Sequence, residues 1–335
     1  MVTLKDIATR VGVDTSTVSK VLQGAPIRVS EAKRSEIMRI AQEMHYQPNA
    51  AARGLRLRRS GAIAMVVPTM TNYLYPEIIG GAEDAADENG YVLFLVKQSR
   101  TDPWGQLTSV VGQGRVDGLL FADEIPEPDF FERLTEFGIP FVSLNRVAPG
   151  KGPYVVLDDQ AGFAAQASYL VELGHRQIAF VAVRPHSYLA QLCQGYFLDR
   201  LEQTGIPRRE VALVQCDFAG DGCEATADEI LALRPRPTAV ATASVIVASR
   251  LVDVLRTRGV SVPDDISVIG YHDSPVGTWP NPSVSTIKMP SRRQGHQGII
   301  RLLQVIGGEK IAAETMEEKP EILERGTCRP HRATS

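Results

Sequence analysis

Two short helices separated by a glycine turn are encoded in TLKDIATRVGVDTSTVSKVL, residues 3–22. Thr3 and Asp6 have the spacing of a capping box, in which each side chain bonds the backbone N–H of the other residue. Gly12 ends the first helix, and Asp14 can cap the second. Both helices carry apolar residues at helical spacing, which predicts one buried face on each: Leu4, Ile7, Ala8 and Val11, then Val18, Val21 and Leu22.

A third helix is predicted from Ser30, which can cap it, to a stop before Pro48. Its apolar face contains Ile37, Ile40, Ala41 and Met44. Two helices joined by a glycine-containing turn and closed by a third form a helix-turn-helix. The exposed start of the second helix in that motif reaches base edges in the DNA major groove. Here that start is polar, which favours DNA binding over a plain three-helix bundle.

Charge is divided unevenly along the chain. Residues 1–60 hold eleven Lys and Arg against five Asp and Glu, a net charge of +6. The whole chain carries −3, so the remaining 275 residues carry −9. A basic head on an acidic body indicates a polyanionic partner for the head. A solvated charged surface is the alternative, and charge alone does not separate the two.

The segment NAAARGLRLRRS, residues 49–60, is a basic arm. Asn49 is a good cap and three alanines favour helix, whereas Gly54 opposes helix by about 1 kcal/mol. So short a helix is marginal on its own, and we expect it to order on DNA. Leu55 is apolar within a cationic segment, which makes it a candidate wedge between base steps from the minor groove. A flexible basic linker is the alternative.

Five segments of the head and arm occur in this order along the sequence: TLKDIA, GV, TVSKVL, VS and YQPNAAAR, at residues 3–8, 12–13, 17–22, 29–30 and 46–53. This set closely resembles the lactose-repressor (LacI/GalR) family of bacterial transcription regulators. The resemblance implies a DNA-reading helix at about 15–22, a hinge helix at about 49–56 and a minor-groove role for Leu55. Lys20 stands where the family more often has Arg, and Lys lacks the bidentate fork of Arg.

The DNA contacts predicted from the motif and the resemblance lie in both parts of this region. They are Thr3, Thr15, Ser16, Thr17, Ser19 and Lys20 in the head, and Asn49, Ala52, Arg53, Leu55 and Arg56 in the arm. No metal ligand, catalytic residue or cofactor is predicted anywhere in the chain.

Beyond residue 60, short β-rich runs alternate with helix-length segments. The predicted strands are 62–67, 91–96, 118–121, 141–144, 154–157, 178–183, 211–214, 239–243 and 266–270. The predicted helices are 76–89, 106–113, 129–137, 160–173, 188–204, 222–233, 244–258 and 292–306. Continuous apolar strands separated by helices predict parallel sheets covered on both faces. Two such series predict two lobes, with a ligand cleft at the carboxyl ends of the strands.

The resemblance continues through this body, for example at VDGLL, LGHRQI and VPDDISVIG, residues 116–120, 173–178 and 262–270. It implies an α/β fold like that of periplasmic sugar-binding proteins, two lobes joined by three crossovers near 158–161, 286–290 and 320–323. The expected domains are a small all-α helix-turn-helix head at 1–48, a hinge at 49–60 and the body at 61–335. We expect an N-lobe at about 61–158 and 290–320, and a C-lobe at about 161–286 and 323–335.

The ligand pocket departs from the family pattern at four positions. Thr69 replaces an Asp, Leu192 an Arg, Ser244 an Asn and His272 an Asp. The missing groups hold sugar hydroxyls by charge-assisted hydrogen bonds, which indicates a differently arranged ligand or a weak pocket. The predicted ligand contacts are Leu74, Tyr75, Asp123, Arg146, Asp158, Gln191, Phe218, Ser244 and His272. The alternatives are that the aromatics belong to the core, that Asp123 is solvated and that His272 is a loop residue.

Composition narrows the class of protein further. Of the 335 residues, 44% are hydrophobic and 22% charged, as in ordinary globular proteins. The longest charge-free run, residues 60–76, falls short of a membrane span, and we expect no signal peptide.

Four scattered cysteines indicate reduced thiols of a cytoplasmic protein. His272, Asp273 and Ser274 are adjacent, which does not give the geometry of a catalytic triad, so we expect no enzyme.

We therefore expect a cytoplasmic, sequence-specific DNA-binding regulator, a repressor that binds a pseudo-palindromic operator as a homodimer. A small effector between the lobes, a sugar or sugar derivative, controls operator affinity. Two alternatives stay open: a protein or non-sugar effector, and a solute-binding protein, which the body alone would fit. The tail at 319–335 has no leucine heptads, which predicts a dimer and not a zipper-linked tetramer.

Overall fold

A computed structural model describes residues 2–22, 24–46, 59–68, 75–97, 101–122, 129–144, 152–183, 188–217 and 220–331. The chain divides into two compact units, the head at 1–60 and the body at 61–335.

The head contains three helices, α1 (Leu4–Val11), α2 (Thr15–Leu22) and α3 (Glu31–Glu43). Both hydrogen bonds of the predicted capping box join Thr3 and Asp6, and Gly12 ends α1 in the left-handed conformation at φ 74°. Ser30 caps α3. The predicted apolar stripes meet in one core, whose buried members are Ile7, Ala8, Val11, Val18, Val21, Ile37, Ile40 and Ala41.

The N-lobe is built on a parallel four-stranded sheet in the order β2-β1-β3-β4. Its strands are β1 (Ala62–Val67), β2 (Val92–Lys97), β3 (Gly118–Phe121) and β4 (Phe141–Ser143). Its helices are α4 (Tyr75–Glu88), α5 (Pro103–Gly112) and α6 (Phe130–Glu136). A short parallel pair, β5 (Val155–Val156) with β11 (Glu314–Thr315), lies beside β4.

The C-lobe is built on a six-stranded sheet in the order β12-β10-β9-β8-β6-β7. Its strands are β6 (Ile178–Val183), β7 (Ala212–Cys216), β8 (Ala239–Thr242), β9 (Ser267–Tyr271), β10 (Ser285–Lys288) and β12 (Glu321–Leu323). Its helices are α7 (Asp159–Glu172), α8 (Tyr188–Gln203), α9 (Cys223–Ala232) and α10 (Val245–Thr257). The remaining helix, α11 (Ser291–Ile306), follows β10 but packs on α4 of the N-lobe.

The predicted alternation of strand and helix is confirmed, with three corrections. Helix α5 begins at 103 and not 106, because the Asp102 side chain caps it and Pro103 occupies its first turn. The strands β10, β11 and β12 were not predicted, because their sequences STIK, ET and EIL lack a continuous apolar run. Strand β12 runs antiparallel to β10, so the sheets are not wholly parallel: the chain returns to the C-lobe from β11 in the opposite direction.

Helices α4 and α11 cross at backbone contact. A Cβ added to Gly81 would lie 1.7 Å from the carbonyl oxygen of Arg292, and one added to Gly295 would lie 1.9 Å from that of Ile78. No side chain larger than hydrogen fits at either position. The glycines therefore seat a helix that arrives from the C-lobe against the first helix of the N-lobe.

His175 joins the C-terminal segment to the C-lobe sheet. Its ring is buried, with Nδ1 2.9 Å from the Thr238 hydroxyl and Nε2 3.2 Å from the carbonyl oxygen of Arg329. A carbonyl oxygen only accepts, so Nε2 carries the proton and Nδ1 can accept from Thr238. Burial lowers the pKa of His175 to about 4, which keeps the ring neutral at pH 7.

Acidification should loosen this contact. An unfolded His takes up a proton near pH 6.5 and the folded ring near pH 4, so stability is lost as pH falls through that window. Between pH 7 and pH 5 we expect His175 to contribute a fall of roughly 1–2 kcal/mol, after allowance for screening. Urea denaturation at both pH values should show a smaller fall for His175→Gln than for the wild type. Equal falls would contradict the assignment.

Candidate functional site

The exposed face of α2 is polar and is organised by Asp14. This carboxylate accepts hydrogen bonds from the Ser16 hydroxyl, from the Thr17 N–H at 2.8 Å and from the Thr17 hydroxyl at 2.7 Å. These hydrogen bonds hold the pKa of Asp14 far below its usual value. The two hydroxyl hydrogens point to Asp14, so the hydroxyl oxygens keep lone pairs that can accept hydrogen bonds from another molecule.

The predicted contacts of the head differ in exposure. Thr3, Thr15, Ser16 and Lys20 are exposed, whereas Thr17 and Ser19 are partly buried. Val18 and Val21, on the opposite face of α2, are buried in the head core. The Thr3 hydroxyl donates to Asp6 at 2.8 Å, so this predicted contact also belongs to a helix cap. Helix α2 thus offers a continuous polar surface while its apolar face holds it to the head.

Lys33 connects α3 to the end of α1. The Lys33 ammonium donates to the carbonyl oxygen of Val11 at 2.8 Å and to the Glu36 carboxylate at 2.9 Å. A cation at the C-terminus of α1 also suits the negative end of the helix dipole. This contact ties α3 to the turn that precedes α2.

Nine predicted site residues lie outside the described part of the chain. They are Asn49, Ala52, Arg53, Leu55 and Arg56 of the arm, and Leu74, Asp123, Arg146 and Phe218 of the body.

Two of the described ligand candidates act as helix caps at the carboxyl ends of strands. The Asp158 side chain accepts from the Ala161 N–H at 3.0 Å and begins α7. The buried Ser244 side chain accepts from the Ile246 N–H at 3.2 Å and begins α10 directly after β8. Each cap leaves further acceptor capacity on its oxygens. Asp158 and Ser244 therefore begin helices at the ends of strands, whether or not they also contact a ligand.

Tyr75 and Gln191 differ in burial. Tyr75 is the first residue of α4, and its ring is buried in the hydrophobic core of the body. Gln191 lies in the first turn of α8 and is exposed. The placement of Tyr75 matches the alternative of a core aromatic.

His272 follows β9 in a left-handed conformation, at φ 60°. Its ring packs edge-on against Tyr271 at 4.7 Å between centroids. Burial lowers the pKa of His272 to about 4, so the ring is neutral at pH 7. A positive φ is uncommon for a residue other than Gly, and strained backbone of this kind often occurs at ligand sites.

Three buried polar atoms have no hydrogen-bond partner among the described residues: Gln166 Oε1, His272 Nδ1 and Ser274 Oγ. Gln166 also donates to the carbonyl oxygen of Thr242, the last residue of β8, at 3.1 Å. His272 and Ser274 follow β9, the neighbour of β8. All three atoms thus belong to the carboxyl edge of two adjacent strands. A buried polar atom without a partner is costly, so these three atoms are candidates for hydrogen bonds to a ligand or water.

Several residues that hold this edge were missed from the sequence. Tyr271, fully buried, stacks on Phe163 at 3.8 Å and donates from its hydroxyl to Asp159 at 3.0 Å. Asp273 accepts from Arg325 and from the Thr286 hydroxyl, each at 2.8 Å. A signal existed for Gln166, a polar residue on the otherwise apolar face of α7. For Tyr271 none existed, because its partners are more than 100 residues away.

The N-lobe has a matching buried glutamine. Gln294, on α11, donates to the carbonyl oxygens of Leu144 at 2.8 Å and Val155 at 3.0 Å. It joins the end of β4 to β5, as Gln166 joins α7 to the end of β8. In both lobes a helix that follows a change of sheet thus donates side-chain hydrogen bonds to the carbonyl oxygens of strands.

The described residues contain neither a candidate metal cluster nor a helix that could span a membrane. Among them, no three His, Cys, Asp or Glu side chains are grouped in a way that could hold a metal ion. No described helix has both the length and the apolar character needed to cross a membrane.

Comparisons with known families match both units. Residues 3–49 match the family of bacterial regulatory proteins named lacI. Residues 167–328 match the periplasmic binding protein-like domain. The HTH-type transcriptional repressor PurR of Vibrio parahaemolyticus serotype O3:K6 (strain RIMD 2210633) is 30% identical over 336 residues, which cover 98% of this chain and 99% of that protein.

Solved structures match over the same length. The lac repressor dimer bound to operator and the anti-inducer ONPF is 25% identical with a TM-score of 0.83, over 97% of this chain and 98% of that one. The transcriptional regulator CelR in complex with cellobiose is 26% identical with a TM-score of 0.74, over 98% and 100%. The predicted fold class is confirmed, and the expectation that this is not an enzyme agrees with relatives that are regulators. The chain belongs to the lacI family of bacterial transcription regulators, with a DNA-binding helix-turn-helix head and a periplasmic-binding-protein-like, ligand-binding body.

Proposed function

We propose that this regulator is a repressor that binds a pseudo-palindromic operator as a homodimer and is controlled by a small neutral sugar or sugar derivative. The observation that carries the DNA role is the exposed polar face of α2 on a head of net charge +6. Two heads related by two-fold symmetry would place two such helices in successive major grooves.

Recognition by α2 combines two kinds of group. Lys20 supplies a cation to a guanine edge or a phosphate. Ser16 and Thr17, whose hydroxyl hydrogens are held by Asp14, offer oxygens that accept from the amino groups of adenine or cytosine. Because those hydroxyls are oriented before binding, little side-chain freedom is lost on the operator.

The arm completes operator binding in this proposal. Residues 49–56 would form a helix on DNA and pair with the arm of the second copy, and Leu55 would insert at the central base step. Unstacking a step costs a few kcal/mol and is offset by the contacts that the bent duplex gains. The support is the resemblance of this segment to the family hinge and the apolar character of Leu55 among arginines.

The N-lobe has an exposed apolar surface to which a second copy of the chain would bind. Strand β2 lies at the edge of its sheet, and three of its apolar side chains are exposed: Val92 by 56%, Phe94 by 52% and Leu95 by 45%. An apolar edge strand open to solvent invites pairing or aggregation, and such patches often mark protein interfaces. The support for a homodimer is thus an apolar surface that a second copy would remove from water.

The carboxyl edge of the C-lobe favours a neutral ligand that carries hydroxyl groups. Gln166 Oε1 can only accept, so its missing partner must donate. The neutral His272 ring and the Ser274 hydroxyl can each bond to a group that both donates and accepts. Sugar hydroxyls meet all three requirements, whereas a fully ionised phosphate has no proton to donate. The relative CelR was solved with cellobiose, which also supports a carbohydrate.

Control of DNA binding would follow from a change in the angle between the lobes, which alters the spacing of the two arms. Such coupling amounts to ~1–3 kcal/mol in typical cases. The sign of the effect, induction or corepression, is open. The observation that favours a non-sugar or protein effector is the loss of the charged family groups at Thr69, Leu192, Ser244 and His272.

Operator binding tests the main proposal. Selection from random duplexes should enrich a two-fold-symmetric site, measured at fixed salt because phosphate contacts make affinity salt-dependent. On that site we expect Leu55→Ala to weaken binding by about tenfold, a loss of ~1.4 kcal/mol, with little change on random duplex. Leu57→Ala, in the same arm, is the matched control and should leave both affinities unchanged. No enrichment of a symmetric site would overturn the proposal, and equal losses on both duplexes would remove the wedge role.

Oligomeric state tests the β2 surface. Phe94→Glu should reduce the sedimentation mass from two chains to one, because a carboxylate at the apolar edge opposes burial. Phe137→Glu is the control, since Phe137 is 69% exposed but lies just after α6. A dimer that survives Phe94→Glu would exclude this surface, and a mass of four chains for the wild type would contradict the dimer.

Calorimetry tests the effector class. We expect at least one neutral sugar from a panel that includes cellobiose to bind more tightly than its phosphate ester. Ser274→Ala should weaken that binding, since it deletes one of the unpartnered polar groups. Tighter binding of a phosphate ester would contradict the neutral ligand, and no binding by any sugar would favour a non-sugar or protein effector.

A further inference from the structure

Two cysteines that are seven residues apart in sequence meet in the C-lobe. Cys216 is the last residue of β7 and Cys223 the first of α9. Their Sγ atoms are 3.3 Å apart, a contact between free thiols. A disulfide bond is ~2.05 Å long, so the sulfurs need to approach by a further ~1.2 Å.

The turn that brings the two cysteines together depends on glycine. Gly220 and Gly222 both have φ 83°, in the left-handed region. The Gly220 N–H donates to the carbonyl oxygen of Asp217 at 3.0 Å, and the Cys223 N–H donates to that of Gly220 at 3.3 Å. The backbone is therefore folded back so that the end of a strand and the start of a helix present sulfur to sulfur.

The two thiols differ in exposure and in acidity. Cys216 is 8% exposed and Cys223 is fully buried. The hydrogen bond from the Cys223 thiol lowers the pKa of Cys216 to about 7. The same hydrogen bond, together with burial, raises the pKa of Cys223. Cys216 is thus the better nucleophile and the less buried of the two residues, and Cys223 keeps its proton beside it.

We propose that Cys216 and Cys223 are a thiol-oxidation site of this regulator, which forms a reversible disulfide when it reacts with a peroxide. The bond would join the edge strand β7 to α9 at the carboxyl edge of the C-lobe sheet. Disulfides in proteins of reducing compartments are often transient and redox-sensing, which is the kind of bond inferred here. The proposal does not depend on the identity of the operator or the effector.

The chemistry balances with hydrogen peroxide as the oxidant. The Cys216 thiolate attacks one peroxide oxygen, the O–O bond breaks, and hydroxide leaves and becomes water, which gives a sulfenic acid on Cys216. The Cys223 sulfur then attacks Cys216 Sγ, the S–O bond breaks, and the departing hydroxide takes the Cys223 proton as a second water. Two thiols lose two electrons in total, and the peroxide is reduced to two waters.

Mass spectrometry of the full-length protein tests the bond. After treatment with hydrogen peroxide, we expect two of the four thiols to disappear and the intact mass to fall by two hydrogens. Proteolysis before Asp217 and Asp221 separates the two cysteine peptides, so only a disulfide would keep them together. Dithiothreitol should restore both thiols. Retention of all four thiols, or a bond that involves Cys193 or Cys328, would overturn the proposal.

Single variants test the order of the steps. In Cys223→Ser the sulfenic acid on Cys216 has no resolving thiol, so dimedone should label Cys216 to a several-fold higher level than in the wild type. In Cys216→Ser we expect no label on Cys223. Cys328→Ser is the matched control and should form the 216–223 bond as the wild type does. Preferential labelling of Cys223 would overturn the assignment, and the wild-type measurement remains decisive if a variant fails to fold.

Discussion

The body depends on one constraint: the chain changes sheet three times, so neither lobe is one continuous segment. Helix α11 comes from the C-lobe strand β10 and must be held against the N-lobe by contacts far apart in sequence. Gly81 and Gly295 allow the α4 and α11 backbones to touch, and the Arg292–Asp84 ion pair at 2.6 Å adds a surface contact. The ion pair is exposed and contributes little. Close packing of the two helices is therefore what joins the returning segment to its lobe.

The same changes of sheet arrange the carboxyl edge of the C-lobe sheet, where we propose that the ligand binds. The helices that follow two of them, α7 and α11, each carry a buried glutamine whose amide donates to backbone carbonyls at strand ends. Tyr271 and Asp159 add a second link between β9 and the start of α7. These contacts hold the strand ends of the proposed ligand site in place, and the polar atoms of Gln166, His272 and Ser274 are buried there. Pre-organisation of this kind lowers the entropic cost of binding.

Capping explains why some ligand candidates chosen from the sequence have structural roles. A polar residue after a strand can contact a ligand or begin the next helix, and both roles favour Asp and Ser. Asp158 and Ser244 begin helices, and Asp14 in the head does so while it orients two neighbouring hydroxyls. In a fold of alternating strands and helices, helix starts and ligand contacts occupy the same edge. A single side chain can therefore serve both.

Caps, glycine turns and apolar periodicity act over a few residues, so the helix-turn-helix head, the alternating body and most helices and strands of the body could be predicted from the sequence, whereas β10, β11 and β12 could not. It also placed Ser244 and His272 at a common edge, since parallel strands end on the same side of a sheet. The folded chain alone reveals that Tyr75 is a core residue, that Tyr271 donates to Asp159 and that Cys216 lies against Cys223. These facts rest on contacts between separate elements, or on a tight turn with two left-handed glycines. Local pattern does not encode such contacts, because burial and the distance between side chains emerge only when the sheets and helices pack.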